Sequence, residues 1–243
     1  MIRIHTFIII VWTVLETIVM GPLAILASFL DQRGNTSHLI ARAWARSILS
    51  VSRVKVTVDG LSKIDPSRSY IFMSNHQSNF DIPVLLSDLP KQFRWLAKAE
   101  LFKIPIFGRG MRGAGYISID RSDRVSAFQS LARAAETIHS GTSVMIFPEG
   151  TRSKDGRLLP YKKGGFVMAV DAQVPIVPIV IEGTYDIMPK GRLLIRPRPV
   201  VVTICEKIDT RGFSRKTKEK VMDQVRRAMQ EIQSGAPHGG PRA

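Results

Sequence analysis

The sequence predicts an α/β fold in which helices cover a mostly parallel or mixed sheet, preceded by an apolar helical membrane anchor. From residue 54 onward, short apolar runs of strand length alternate with amphipathic runs of helical spacing. The first thirty residues are almost uncharged, and 243 residues suffice for one sizeable domain plus an appendage. We therefore expect an anchor over residues 1–32, an α/β domain over 33–233 and a flexible tail over 234–243.

The N-terminal segment is the first element. Residues 7–30 carry one charge, Glu16, over a length that exceeds the roughly 18 residues of a membrane-spanning candidate. The Gly21–Pro22 pair interrupts the run, because proline strains a helix interior. Two arrangements remain open: one span kinked at this pair, and a hairpin of two short helices that meet there. A signal peptide or a buried core helix is the alternative to an anchor, although no A-x-A cleavage site follows the run.

The remaining elements follow from apolar periodicity and turn residues. Helices are predicted over residues 38–52 (amphipathic and basic, suited to a membrane surface), from Asp81 as cap, from Ser122 as cap to a stop at Gly141, and over 164–171 and 216–233. Strands are predicted over residues 54–59, 70–73, 116–119, 143–147, 176–181 and 200–205.

The balance of charged residues indicates an anionic partner. Lys and Arg number 35 against 20 Asp and Glu, for a net charge of +15, which suits nucleic acid, an anionic membrane or a phosphorylated substrate. The apolar N-terminus and the lack of a recognisable nucleic-acid motif make nucleic acid the weakest of these. The single cysteine, Cys205, excludes an intramolecular disulfide and a Cys-based zinc site, and no His/Asp/Glu ligand cluster is evident, so no metal is expected.

Two polar loops that follow predicted strands carry the candidate chemistry. His76 lies in the first, where an imidazole can act as a general base, and Asp81 is placed to fix its tautomer. No Ser in a G-x-S-x-G setting accompanies the pair, so a substrate hydroxyl is the expected nucleophile. The second loop, residues 147–153, offers Gly150, Thr151 and Arg152 to an anion. By spacing alone, a purely structural role remains open for both loops.

Four blocks in order give the chain a family resemblance. Residues 75–81 (NHQSNFD), 115–121 (GYISIDR), 147–153 (FPEGTRS) and 174–179 (VPIVPI) resemble the glycerophospholipid acyltransferases, specifically the bacterial 1-acylglycerol-3-phosphate acyltransferases. Residues 98–107 and 162–166 are also typical of that family, and the resemblance covers roughly residues 55–205.

The resemblance implies that His76 deprotonates the hydroxyl of 1-acyl-sn-glycerol 3-phosphate (lysophosphatidic acid), which attacks an acyl thioester to give phosphatidic acid, with Asp81 orienting His76. It assigns the glycerol phosphate to Arg121, Glu149, Gly150, Thr151 and Arg152, and Lys98 is a further candidate. A carboxylate repels phosphate, so Glu149 either contacts substrate or supports Arg152 or a backbone amide. It implies no cofactor beyond a coenzyme A or acyl-carrier-protein thioester as co-substrate, acyl carrier protein as a partner in the latter case, and a place at the inner membrane with the catalytic domain on its cytoplasmic face.

Three alternatives stay open at this point. The same chemistry could act on glycerol 3-phosphate or on another lysolipid, because the motifs fix the reaction better than the acceptor. A non-catalytic lipid-binding protein that keeps the fold is the alternative of a different class, and intact His76 and Asp81 argue against it. Nucleic-acid binding explains the charge alone.

Overall fold

A computed structural model describes residues 2–120 and 122–235 as one sheet flanked by helices. The helices are α1 (Ile2–Leu30), α2 (Asn35–Val51), α3 (Asp81–Asp88), α4 (Phe107–Gly113), α5 (Arg124–His139), α6 (Gly164–Ala172), α7 (Thr184–Ile187) and α8 (Lys218–Gln233). The strands are β1 (Val56–Asp59), β2 (Ile71–Ser74), β3 (Phe93–Lys98), β4 (Ile117–Ile119), β5 (Ser143–Ile146), β6 (Ile176–Glu182) and β7 (Val200–Ile204).

The seven strands form a mixed sheet in the order β1-β7-β6-β2-β5-β3-β4. The β6–β7 pair is antiparallel and the other neighbouring pairs are parallel. At the centre, Phe72 lies opposite Met145 on one side and Val177 on the other. The predicted mostly parallel or mixed sheet is confirmed. Because β2, β5, β3 and β4 run parallel, the loops that follow them lie at one edge, where α/β proteins bind ligands.

Both faces of the sheet are covered. Phe72 belongs to the core cluster shared with α2 and α3, whereas its neighbour Ile71 belongs to the cluster shared with α5, α6 and α8. Strands buried on both faces read as continuous apolar runs, which explains why β2, β5 and β6 were predictable from the sequence.

Helix α1 is continuous through the Gly21–Pro22 pair. Of the two arrangements left open, the hairpin of two short helices that meet at this pair is therefore not the one observed, and the chain reverses at residues 31–34, before α2 begins. A side chain at Gly21 would place its Cβ 2.4 Å from Ile106, so the glycine is required for close packing of α1 against the segment that precedes α4. Packing of α1 against α2 and α4 overrides the local cost of a proline in the helix.

The surface of α1 divides into two sides. Thr6, Ile9, Ala24 and Ala27 are buried against the protein, while large apolar residues along the other side, including Phe7 and Phe29, are exposed. In the described part of the chain, α1 is the helix long and apolar enough to cross a membrane. Its exposed apolar side is the kind of surface that associates with lipid.

Two local predictions need correction. The N-cap of α5 is Asp123, whose carboxylate accepts hydrogen bonds from the N–H groups of Val125 and Ser126, and not Ser122. Strand β3 was missed because Arg94 interrupts its apolar pattern. Arg94 is nonetheless buried. Its guanidinium donates hydrogen bonds to the Arg33 carbonyl (2.6 Å) and the Asn35 side chain (2.7 Å), which replace the hydrogen bonds to water that burial removes.

Candidate active site

His76 and Asp81 meet as the sequence predicts. The distance between His76 Nδ1 and Asp81 Oδ2 is 2.7 Å. A carboxylate accepts only, so His76 donates from Nδ1, and its Nε2 carries the lone pair that can accept a proton. The pair thus has the geometry of a general base with its orienting acid.

Asp81 does not cap α3, contrary to prediction. It is the first residue of the helix, and its side chain turns back towards the loop before it. Asp81 Oδ2 also accepts hydrogen bonds from the N–H groups of Gln77 (2.7 Å) and Ser78 (2.9 Å). The other oxygen, Oδ1, is buried without a hydrogen-bond partner among the described residues. One carboxylate oxygen therefore holds both the loop backbone and the imidazole.

The His76 ring is also fixed by stacking. Phe147, the first residue after β5, lies parallel to it with ring centroids 3.9 Å apart and an interplanar angle of 7°. Trp95 of β3 packs next to Phe147, with centroids 5.2 Å apart. The imidazole is thus held in plane by Asp81 and from one face by Phe147, so little reorganisation is needed for it to act.

Glu149 lies behind this arrangement and is 2% exposed. Its Oε1 accepts a hydrogen bond from the His76 N–H (2.9 Å), and its Oε2 accepts one from the Leu159 N–H (3.0 Å). Burial raises the pKa of Glu149 to about 7, although these two amides favour its ionised form. Of the two roles predicted for Glu149, the structure shows support of the backbone, through the amides of His76 and Leu159; substrate contact stays a prediction.

The loop after β5 is docked onto the His76 loop. The Ser153 N–H donates to the His76 carbonyl (2.7 Å), and Gln77 Nε2 donates to the Gly156 carbonyl (2.8 Å). Gly150 has a φ of +73°, a conformation that residues with a side chain adopt at a cost. The turn at Gly150 lets the following residues, Thr151 and Arg152, return to the His76 side.

A basic group stands beside these residues. Lys190 Nζ donates hydrogen bonds to Thr151 Oγ1 (2.9 Å) and to the Arg152 carbonyl (3.2 Å). The Arg152 guanidinium forms no ion pair with the described residues. Two cations and a hydroxyl thus face the same space, which suits a phosphate.

Lys98 and Arg121 are the other two cations predicted to hold the phosphate. Lys98, at the end of β3, borders the same cavity and forms an exposed ion pair with Glu100, with a distance of 2.9 Å from Nζ to the carboxylate. A surface pair of this kind is weak and leaves the lysine available to a stronger anion. Arg121 lies outside the described residues, so its predicted phosphate contact stays a prediction.

A cavity of about 460 Å³ joins these residues. His76 lies in its wall, the more exposed Lys98, Thr151, Arg152 and Lys190 border it on the polar side, and the remaining lining is mostly apolar. This mostly apolar lining comes from α1 (Met20, Gly21, Ala24, with the hydroxyl of Thr17), α2 (Ile40, Ala41, Trp44, with the hydroxyl of Ser37), α3 (Ile82, Leu86), β3 (Trp95, Leu96, Ala97), and α4 with its flanks (Leu101, Phe107, Gly110, Met111, Ala114, Tyr116). Its size is ordinary for a ligand site, for which about 300–1,000 Å³ is typical.

Lys190, Phe147 and Trp95 are the site residues that sequence reasoning missed. Lys190 lies in the irregular segment between α7 and β7, and no motif marks it. Phe147 was recognised only as part of a block, and Trp95 lies in the strand that was missed. The signal that could have found Phe147 is its position directly after β5, at the edge where His76 also lies.

Comparisons with known proteins show the family to which the chain belongs. Residues 55–182, just over half of the chain, match the family described as Acyltransferase. The chain is 43% identical over 155 residues to a chloroplastic 1-acyl-sn-glycerol-3-phosphate acyltransferase of Brassica napus, covering 63% of this chain and 44% of that protein. It is 34% identical over 192 residues to the human 1-acyl-sn-glycerol-3-phosphate acyltransferase alpha, covering 77% and 68%. The chain spans less than half the length of the Brassica and Arabidopsis relatives that it matches.

A solved structure resembles almost the whole chain. The crystal structure of the 1-acyl-sn-glycerophosphate acyltransferase PlsC from Thermotoga maritima matches with a TM-score of 0.78 and 29% sequence identity, covering 99% of this chain and 100% of that one. The similarity therefore includes α1 and α2 as well as the sheet.

Proposed function

Because the chain belongs to the acyltransferase family, we propose that it transfers a fatty acyl group from an acyl thioester to the free hydroxyl of 1-acyl-sn-glycerol 3-phosphate, giving phosphatidic acid. The observation that carries the proposal is the His76–Asp81 pair, 2.7 Å apart, in the wall of a cavity that is apolar on one side and cationic on the other. The substrate has the same division, since its acyl chain is apolar and its phosphate is anionic.

The reaction uses the protonation states that the site provides. His76 Nε2 takes the proton from the acceptor hydroxyl while its oxygen attacks the thioester carbonyl, and Asp81 stabilises the imidazolium that forms. The tetrahedral intermediate collapses with breakage of the carbon–sulfur bond, and the departing thiolate takes the proton back from His76. A thioester is already activated, so the proposal includes neither a metal nor a cofactor.

The cationic side of the cavity orients the acceptor. Arg152, Lys190 and Lys98 all line the cavity that contains His76, so they can hold the phosphate while the hydroxyl reaches His76. Such positioning, together with the charge-assisted hydrogen bonds, converts a chance encounter into a fixed geometry. Arg121 is proposed as a further phosphate ligand through the family resemblance alone.

The apolar side is proposed to hold an acyl chain. Its walls come from α1, α2 and α4, so the chain would lie between the N-terminal helices and the sheet. Burial of methylene groups there stabilises binding by about 0.8 kcal/mol each. The donor, whether a coenzyme A or an acyl-carrier-protein thioester, reaches the site from the aqueous side. We further propose that the protein lies at the inner membrane, with its catalytic domain on the cytoplasmic face.

The test is a substrate panel with the purified full chain in phospholipid vesicles. Lysophosphatidic acid, glycerol 3-phosphate and a lysolipid without phosphate are each offered with coenzyme A and acyl-carrier-protein thioesters, for the wild type and for His76→Ala. Turnover with lysophosphatidic acid that disappears in the variant supports the proposal. Preference for another acceptor contradicts lysophosphatidic acid as the substrate, and equal activity of the wild type and His76→Ala refutes the role of His76 as the base.

A further inference from the structure

A basic, partly apolar loop lies between β6 and β7. We call residues 190–198, KGRLLIRPR, the basic loop; it carries four cations and no carboxylate. Arg192, Arg196 and Arg198 are exposed, and their guanidinium groups form no ion pair or side-chain hydrogen bond with the described residues. Leu193 among them is 76% exposed. The proposed chemistry uses only the first residue of this loop, Lys190.

The basic loop is fixed at both ends. At one end, Lys190 bonds Thr151 at the cationic side of the cavity. Near the other end, the buried Ile195 donates its N–H to Thr6 Oγ1 of α1 at 3.0 Å. Leu193 therefore projects from a segment that is attached beside the start of α1, where Phe7 is 67% exposed.

We infer that the basic loop is a second membrane contact, in which the arginines bind the phosphates of an anionic phospholipid bilayer and Leu193 inserts below them. Two observations select this partner. The unpaired cations match an anionic surface. Leu193 lies two residues from Ile195, which is bonded to Thr6, and Thr6 is followed in α1 by the exposed Phe7 of its lipid-suited apolar side. Nucleic acid would match the charge but leave Leu193 in water, and an acidic protein would leave the exposed apolar side of α1 unexplained. The inference rests on membrane association through α1 and not on the proposed chemistry.

The experiment places an environment-sensitive fluorophore on the full chain. Leu193→Cys is labelled in a Cys205→Ala background and bound to vesicles of phosphatidylglycerol and phosphatidylethanolamine. We expect blue-shifted, several-fold brighter emission that brominated lipids quench. The matched control is Gln230→Cys, an exposed position on α8 at the opposite face of the sheet, where the emission stays that of a label in water.

A second variant tests the cations. Each basic residue near an anionic surface raises the equilibrium constant for membrane binding about fivefold. Arg192→Gln, Arg196→Gln and Arg198→Gln together should therefore lower the equilibrium constant for insertion of the label at position 193 roughly a hundredfold. Cosedimentation in the same samples confirms that α1 still binds the vesicles. A label at 193 that stays in water on sedimented protein overturns the inference, as does insertion that the three substitutions leave unchanged. Turnover is not measured, so the result is independent of the proposed reaction.

Discussion

Replacement of Asp81 by Asn tests the site where its geometry is best defined. The change keeps size and shape but removes the charge that faces His76. One carboxylate oxygen accepts three hydrogen bonds, from His76 Nδ1 and from the N–H groups of Gln77 and Ser78. An amide oxygen in the same place can still accept all three, so the loop keeps its template while the imidazolium loses its counter-charge.

The expected loss follows from electrostatics. The charges of an imidazolium and a carboxylate are spread over their groups, and at a separation of about 4 Å and an effective dielectric constant near 20 they attract by about 4 kcal/mol. The remaining neutral hydrogen bond recovers about 1 kcal/mol. A net loss of about 3 kcal/mol in the transition state lowers kcat between about 10² and 10³-fold, since about 1.4 kcal/mol is a factor of ten.

The assay follows release of the thiol from the acyl thioester with a colour-forming thiol reagent, in phospholipid vesicles. The new amide Nδ2 would occupy the buried position of Asp81 Oδ1, which has no partner among the described residues, at a cost of about 1–3 kcal/mol in the free energy of unfolding. Thermal unfolding is therefore measured alongside, and rates are expressed per folded protein.

The matched control is Asp88→Asn, the same chemical change at the last residue of α3. Its kcat should equal that of the wild type. A folded Asp81→Asn protein whose kcat falls by less than about fivefold would refute the assignment of Asp81 as the stabiliser of an imidazolium.

Three further outcomes follow from neighbouring parts of the site. Burial raises the pKa of the Glu149 carboxyl from an ordinary 4.5 to about 7. Between these pH values the folded protein keeps a proton that the unfolded chain releases. The free energy of unfolding therefore falls by up to about 3 kcal/mol as pH rises from 4.5 to 7. Glu149→Gln should remove this pH dependence, which is measured by chemical unfolding of both proteins at pH 5 and pH 7. An equal change in the free energy of unfolding with pH in both proteins would contradict a buried Glu149 carboxyl with a raised pKa. Lys190→Met should raise the KM for lysophosphatidic acid about tenfold through loss of a charge-assisted contact, with the KM for the thioester unchanged; equal rises in both would place Lys190 elsewhere. Ala24→Phe should fill the apolar side of the cavity and favour short over long acyl groups in competition assays. Leu26→Phe, at an exposed position of the same helix outside the cavity, should leave the preference unchanged.

The parts of the fold that the sequence could predict are those in which local pattern and burial agree. β2, β5 and β6 are buried on both faces, so their apolar runs identified them directly. β3 was missed because the buried guanidinium of Arg94 takes its hydrogen-bond acceptors from Arg33 and Asn35, far away in the sequence. The Gly21–Pro22 pair left two arrangements open for the opposite reason, because its local signal for a helix break is overridden by the packing of α1 against α2 and α4.

The site divides in the same way. The His76–Asp81 contact is local, and both residues lie in one loop and the helix turn that follows, so their spacing and context sufficed. Lys190 reaches the site through an irregular segment with no periodic pattern, and only the folded chain shows it beside Thr151. The two hydrogen bonds of Glu149 depend on which backbone amides the loops bring together, which no sequence pattern encodes.

The wall that α1 and α2 contribute to the cavity has a consequence for modularity. A membrane anchor that only determines where an enzyme is located can be exchanged for another anchor. Here Met20, Gly21 and Ala24 of α1 border the same space as His76. A chimera with a foreign anchor would keep its catalytic pair yet present an open groove in place of an enclosed space. The N-terminal helices therefore have to vary together with α4 and β3, and a change of lipid preference can arise in the anchor as readily as in the sheet.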